Sequence, residues 1–291
     1  MSPNPAACIM AQTSCDITQD CARAKGIYLV PDYVIHKGRQ YLSQVEIDSP
    51  ELYRILRTSD KLPTSAPPST EALINAFKRA SDNGNKEIIF LTLSSKLSSS
   101  FSAVKLAAEI ALEEGFPAPI HVYDSLSVSH GMGLLAEEAA NLAMQGFDAS
   151  SIIEKLDVLR PNTCVYCMLE SLKCAHLGGR VGSLGPLATD TFGIRPIMAF
   201  IDGLMHCLGV QRNARESLKW LARRYEREAE KGRAAIIGHG DHLHRAQTLC
   251  EMIKDLDKLA SLRINYIGPP IGIHSGPSSV GIAFIKQPQK T

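Results

Sequence analysis

The densest run of chemistry-bearing side chains is SSKLSSSFS at residues 94–102, where six of nine positions are serine. Hydroxyl and backbone N–H donors packed this closely can hold an anion. A helix start close behind them adds favourable polarity. A polar loop ending in a helix cap fits the same residues. No G-x-x-x-x-G-K stretch accompanies the loop, so it does not read as a nucleotide phosphate loop. Thr64 and Ser65 stand between Pro63 and Pro67, and prolines preorganise the hydroxyls they flank. A plain proline turn is the other reading. Arg180 follows Gly178 and Gly179. A guanidinium clamps carboxylate or phosphate, but an arginine near a helix end has the same surroundings. His274 lies in GPPIGIHSGP at 268–277. It can bond a carboxylate, charge near neutral pH, or serve the backbone.

Other groupings point elsewhere. His239, His242 and His244 suggest a metal, but residues 241–245 read as a helix opening. There His242 and His244 diverge, and zinc needs three or four converging ligands. Cys164 and Cys167 have redox spacing, yet residues 163–168 read as a strand, which points the two to opposite faces. They read as ordinary thiols. Asp124-Ser125 follows a strand and reads as a turn that shapes a pocket floor, with Ser94 in a similar position. A serine hydrolase or acyl transferase using Ser95 or Ser125 with His274 is the rival chemistry, although no G-x-S-x-G elbow is present.

The elements that must position these residues alternate. Strands are expected at 27–34, 87–93 and 119–123, and helices at 69–79 (Ser69 as cap), 102–114, 131–144 and 149–159. The two polar loops follow strands 87–93 and 119–123, where ligands of such sheets sit. Beyond Arg160-Pro161 the pattern changes. Asp202-Gly203 between two apolar runs reads as a hairpin. Helices are expected at 216–230 and 246–259, and strands at 233–238, 263–267 and 281–285. The expected fold class is α/β with two domains, 1–160 and 161–291. The first carries a mostly parallel sheet with flanking helices, the second a mixed or antiparallel sheet.

Composition narrows the classes. Lys+Arg total 31 and Asp+Glu 30, for a net charge of +1. That leaves no global field for nucleic acid. No apolar run reaches the length of a membrane span, and the first residues do not read as a secretory signal. A cytoplasmic location is expected.

Several separated pieces then fall into a known order: TSCDI at 13–17, PTSAPPS at 63–69, LSSKLSSSFSA at 93–103, YDS at 123–125, the glycines 131 and 133, LGGRV at 177–181, IRPIMAFIDG at 194–203, and GPPIGIHSGP with GIAF toward the end. In this the chain resembles the DegV family of bacterial fatty-acid-binding proteins over nearly its whole length. The resemblance implies an acyl chain in a tunnel near the domain junction, with no other cofactor, catalytic residue or metal. It assigns the carboxylate grip to Thr64 and Ser95 and places Arg180 and His274 near the head group. Ser65, Ser94, Asp124 and Ser125 would shape the pocket. It also implies a partner, an ATP-binding kinase subunit that phosphorylates the presented carboxylate, and transient membrane contact without a span. The chain departs from the family pattern at Gln12, Ala66 and Ser99. The first of these removes an acid expected near the pocket mouth, and all three bear on coupling to a kinase.

Overall fold

The computed structural model describes residues 7–82, 87–170, 194–258 and 261–287. The chain opens with β1 (Cys8–Gln12), whose five residues are all buried, and continues through α1 (Gln19–Lys25) into β2 (Ile27–Val30). With β6 (Ile88–Thr92) and β7 (Ile120–Asp124) these strands form a parallel sheet in the order β2-β1-β6-β7. A strand buried on both faces needs no polar alternation, and IIFLT of β6 has none.

Helices cover both faces of this sheet. On one side α3 (Thr70–Asp82) and α4 (Ser100–Glu113) pack Phe77, Val104 and Ala107 against Met10 and Phe90. Ser69 Oγ accepts from the Ala72 N–H at 3.2 Å, the expected cap of α3. On the other side α5 (Ser129–Met144) and α6 (Ala149–Leu159) pack Leu135, Ala139 and Ile152 against Ile9 and Leu91. Small side chains let α5 approach closely: a Cβ on Gly133 would lie 2.7 Å from the Cys15 carbonyl oxygen.

The expected strand 27–34 is two strands. Pro31 lacks an N–H and breaks the ladder. After it β3 (Tyr33–His36) leaves the parallel sheet and pairs antiparallel with β4 (Arg39–Leu42) and β5 (Thr64–Ala66). This three-stranded sheet and α2 (Ser49–Thr58) were not expected from the sequence.

Every strand of the remaining six-stranded sheet follows Arg160. The order is β10-β9-β8-β13-β11-β12, with β8 (Thr163–Met168), β9 (Arg195–Ile201), β10 (Leu204–Gln211), β11 (Ala234–His239), β12 (Ser261–Tyr266) and β13 (Val280–Ile285). Only β11 and β12 run parallel, so the sheet is mixed. Asp202 and Gly203, with φ of 49° and 79°, turn β9 into β10 as the Asp-Gly pair predicts. One face of the sheet is covered by α7 (Ala214–Glu228) and α8 (Leu243–Leu256), through Leu218, Leu221, Leu249 and Ile253. The other face meets α5, where Leu134 packs with Val165, Ile236 and Ala283. The almost wholly buried α5 is therefore shared by both sheets.

The Gly- and Pro-rich segment around His274, to which no element was assigned from the sequence, is a short helix, α9 (Pro269–Ser275). Pro269 and Pro270 sit in its first turn, where a missing N–H costs nothing. It returns to the first half of the chain: Ile273 packs with Leu52, Tyr53 and Val34. Tyr53 Oη donates to the Ile267 carbonyl at 2.8 Å just ahead of it.

Candidate functional site

A cavity of about 220 Å³ lies where β5, the serine-rich loop, the start of α5 and α9 face the open side of the six-stranded sheet. Its wall has two characters. Leu93, Leu97, Val128, Val165, Phe200, Met205, Ile271 and Ile282 make a continuous apolar lining. Polar groups gather from β5, the serine loop and α9: Ser65, Ser98, Ser99, Ser100, His274 and Ser275, together with Asp32.

The cysteine pair illustrates why the sheet can present such a wall. In β8, Cys164 packs into the core under α7 while Cys167 lines the cavity, the alternation of a strand. All described cysteines are free, and burial pushes the Cys167 thiol up to about 12.

Ser65 and His274 meet directly. Ser65 Oγ and His274 Nε2 are 3.3 Å apart, and both residues line the cavity. Thr64 precedes Ser65 in the same strand, so the two side chains point to opposite faces. Thr64 is exposed and outside the lining. Ser95 is likewise exposed, and its N–H donates to Asp124 Oδ1 at 3.2 Å. The serines that reach the wall from the same loop are Ser98, Ser99 and Ser100.

The other polar positions hold loops in place. Ser94 Oγ donates to the Gly203 carbonyl at 2.7 Å, tying the serine loop to the β9–β10 turn. Lys96 Nζ reinforces the link through the Asp202 carbonyl at 2.8 Å. Asp124 Oδ1 also accepts from the Leu126 N–H at 3.0 Å, and Ser125 Oγ accepts from the Ser127 N–H at 3.1 Å within one turn. None of Ser94, Asp124 and Ser125 lines the cavity. The serine that contacts His274 Nε2 is Ser65, not Ser95 or Ser125. Arg180 lies outside the described residues.

The histidine cluster does not converge. His239 ends β11 with its ring 4.4 Å from that of Tyr266, while His242 and His244 flank the start of α8. Among the described residues no three His, Cys, Asp or Glu side chains are grouped to hold a metal ion.

With this geometry in place, comparison with known proteins is decisive for the family. A sequence profile described as an uncharacterised protein of the DegV family matches residues 7–287. The chain belongs to the DegV family. A DegV domain-containing protein of Halalkalibacterium halodurans is 27% identical over 265 residues, 90% of this chain and 92% of the relative. A solved structure described as showing fatty acid binding of a DegV family protein from Thermus thermophilus superposes with a TM-score of 0.86 at 22% identity, covering 97% of this chain and 100% of the other. The Fatty Acid Kinase B3 protein of Streptococcus pneumoniae, solved loaded with linoleic acid, gives 0.84 at 20% identity over 97% and 100%. The two-domain α/β fold is thus the DegV fold.

Within this DegV chain, two cavity residues had not been anticipated. Gln12, where the family pattern leads one to expect an acid, is fully buried, and its Nε2 donates to Asp32 Oδ1 at 2.7 Å and Ser100 Oγ at 3.1 Å. Asp32 lies just after β2, so the carboxylate in this region comes from another segment. Its Oδ2 accepts from the Ser14 N–H at 2.9 Å and from Thr13 Oγ1 at 3.2 Å. Burial raises its pKa to about 6 despite these three donors. Asp32 was visible as a lone acid inside the apolar run IYLVPDYV. His130 was visible as a lone imidazole at the head of an apolar helix.

Deeper still, Asp16 and Ser129 clasp each other: Ser129 Oγ donates to Asp16 Oδ2 at 2.5 Å. Both hold left-handed backbone, φ 55° and 52°, a conformation that costs free energy outside glycine. Burial lifts the Asp16 carboxyl to about 8, and the neighbouring Asp32 charge adds to the shift.

Proposed function

We propose that this chain binds a long-chain fatty acid by its carboxylate and presents it to a partner kinase, without turning over a substrate alone. The observation that carries the reading is the two-part cavity: an apolar wall that ends at the paired Ser65 hydroxyl and His274 imidazole. The fatty acid binding of the Thermus thermophilus protein and the linoleic acid carried by the Streptococcus pneumoniae protein support the same ligand class.

The energetics favour it. Each buried methylene contributes roughly 0.8 kcal/mol, so a saturated chain of about 16 carbons gains on the order of 10 kcal/mol before ordering costs. A buried carboxylate needs donors to offset its desolvation. Ser65, His274 and the hydroxyls of Ser98 to Ser100 supply them at the polar end. Thr64 and Ser95, the positions assigned by family resemblance, stand on the exposed side of the same two segments. We assign them contact with the head group where it reaches the surface. A kinase subunit carrying ATP would there transfer phosphate to the exposed carboxylate oxygen, displacing ADP, and Arg180 would balance the added charge.

Native mass spectrometry of the purified protein, followed by lipid extraction, tests the binding step. The expected result is fatty acid at about one per chain. A lipid-free protein that also refuses added fatty acid would overturn the reading. Mixing loaded protein with a fatty acid kinase subunit and ATP tests the hand-off, read as hydroxylamine-trapped acyl phosphate. Persistent absence of product with a kinase that accepts other DegV proteins would confine the function to binding.

A further inference from the structure

An acyl tunnel needs only apolar walls along its length, yet one wall here contains an imidazole. His130, in the first turn of α5, is 3% exposed and lines the cavity. Neither Nδ1 nor Nε2 has a hydrogen-bond partner among the described residues. The ring lies over Gly238 of β11, where an added Cβ would sit 2.7 Å from Cδ2 and 2.8 Å from Nε2. It is thus fixed against the six-stranded sheet, on different elements from the Ser65–His274 contact.

Burial holds the ring neutral by pushing its pKa down to about 3, and the charges of Arg263 and His239 act in the same direction. A neutral imidazole carries one N–H donor and one bare nitrogen acceptor. A hydrocarbon chain laid against it would bury both unsatisfied, which native interiors avoid. A hydroxyl both donates and accepts, so it can pair with whichever nitrogen faces the cavity.

Building on the fatty-acid reading above, we propose that His130 is a specificity-determining residue that selects an acyl chain bearing a hydroxyl group along its length, away from the carboxyl end. The preferred ligand class is then a hydroxy fatty acid, with the head group held at Ser65 and His274 and the chain hydroxyl held at His130.

The test uses the delipidated full chain, with stearate and a series of stearates hydroxylated at successive chain positions, titrated by displacement of a fluorescent fatty acid. At least one isomer should bind about tenfold more tightly than stearate, the size of one well-made buried hydrogen bond. In His130→Met the ratio should fall to about one, with stearate itself binding more tightly because no imidazole is left unsatisfied. His130→Gln, which keeps a donor and an acceptor, should retain part of the preference and covers the case of a misfolded Met variant. Equal affinities in the parent, or a preference that survives in His130→Met, would overturn the proposal and assign the ring to bound water. Those outcomes leave fatty-acid binding intact, whereas a parent that binds neither stearate nor its hydroxylated forms overturns both readings.

Discussion

Ser65 Oγ and His274 Nε2 lie 3.3 Å apart although 209 residues separate them in the chain. The contact joins β5 to α9, and α9 is seated by the packing of Ile273 on Leu52 and Tyr53. When the imidazole N–H donates to Ser65 Oγ, the Ser65 O–H is left to donate to a carboxylate beside the pair, and the histidine acts through the hydroxyl that it orients. Ser65→Ala and His274→Ala should each weaken fatty-acid binding about tenfold or more, as expected for a lost bond to a charged group. The double variant should lose less than the sum, because the two groups act on one ligand. Thr64→Val and Ser95→Ala, on exposed positions, should change affinity less than Ser65→Ala. Isothermal titration with one fatty acid across the five variants checks the order, and a larger loss at Thr64 or Ser95 would move the grip to those residues.

Asp32 sets the pH dependence of that binding. It faces the cavity with a pKa of about 6, raised mainly because burial disfavours its charge. Its bonded neighbours Gln12, Thr13 and Ser14 are neutral, and Asp16, with a pKa of about 8, stays largely protonated over the range in which Asp32 titrates. Below about pH 6 the protonated acid can sit beside a ligand carboxylate; above it, two anions share one cavity. Fatty-acid affinity should therefore fall as pH rises from 5 to 8. Asp32→Asn should flatten the curve and bind roughly tenfold more tightly at pH 8, the equivalent of one unit of pKa coupling. Parallel curves for parent and variant would remove Asp32 from the ligand's surroundings.

The sequence made the strands and helices around β6, β7, α5 and α6 legible because their apolar runs are long and bounded by turns. The Asp202-Gly203 hairpin was legible for a local reason, its need for positive φ. The three-stranded sheet was not. Its strands are only three or four residues long, too short for periodicity, and β3 hides behind Pro31 in a run that reads as one strand. The same holds at the site. His274 stood out from its Gly and Pro neighbours, but nothing in PTSAPPS says which hydroxyl faces inward. That depends on the pairing of Ser65 with Val34, which is a fact of register. Family resemblance carried the motifs as units, and strand alternation then distributed Thr64 and Ser65 to different faces.

Gly238 and His130 should depend on each other. A methyl group at Gly238 would press on the ring at 2.7 Å, well inside ordinary contact, and the ring could yield only by lifting off the sheet into the cavity that it lines. Gly238→Ala should destabilise the protein by about 1–3 kcal/mol, as overpacked cores do. In a His130→Ala background the same substitution should cost much less, because the new methyl enters the space left by the imidazole. Urea denaturation of the four proteins gives the coupling. Additive losses would mean that the ring does not occupy the space above Gly238.

Asp16 should make the folded state less stable as pH rises. Its pKa is about 8 in the fold against about 3.9 in an unfolded chain. Between these values the folded protein holds a proton that the unfolded chain has released. The slope of stability against pH is then negative. This group's contribution is fully present below about pH 4 and is lost progressively by about pH 8. Ser129 Oγ donates to the carboxyl at 2.5 Å and partly offsets the shift by favouring the anion. Ser129→Ala should therefore raise the Asp16 pKa further and steepen the fall in stability on its alkaline side. Asp16→Asn keeps an acceptor for Ser129 but cannot titrate. The midpoint of urea unfolding should drop from pH 5 to pH 8 in the parent, drop less in Asp16→Asn, and drop more in Ser129→Ala. An Asn variant with the parent's slope would place the alkaline sensitivity elsewhere, on Asp32 or on a group outside this clasp.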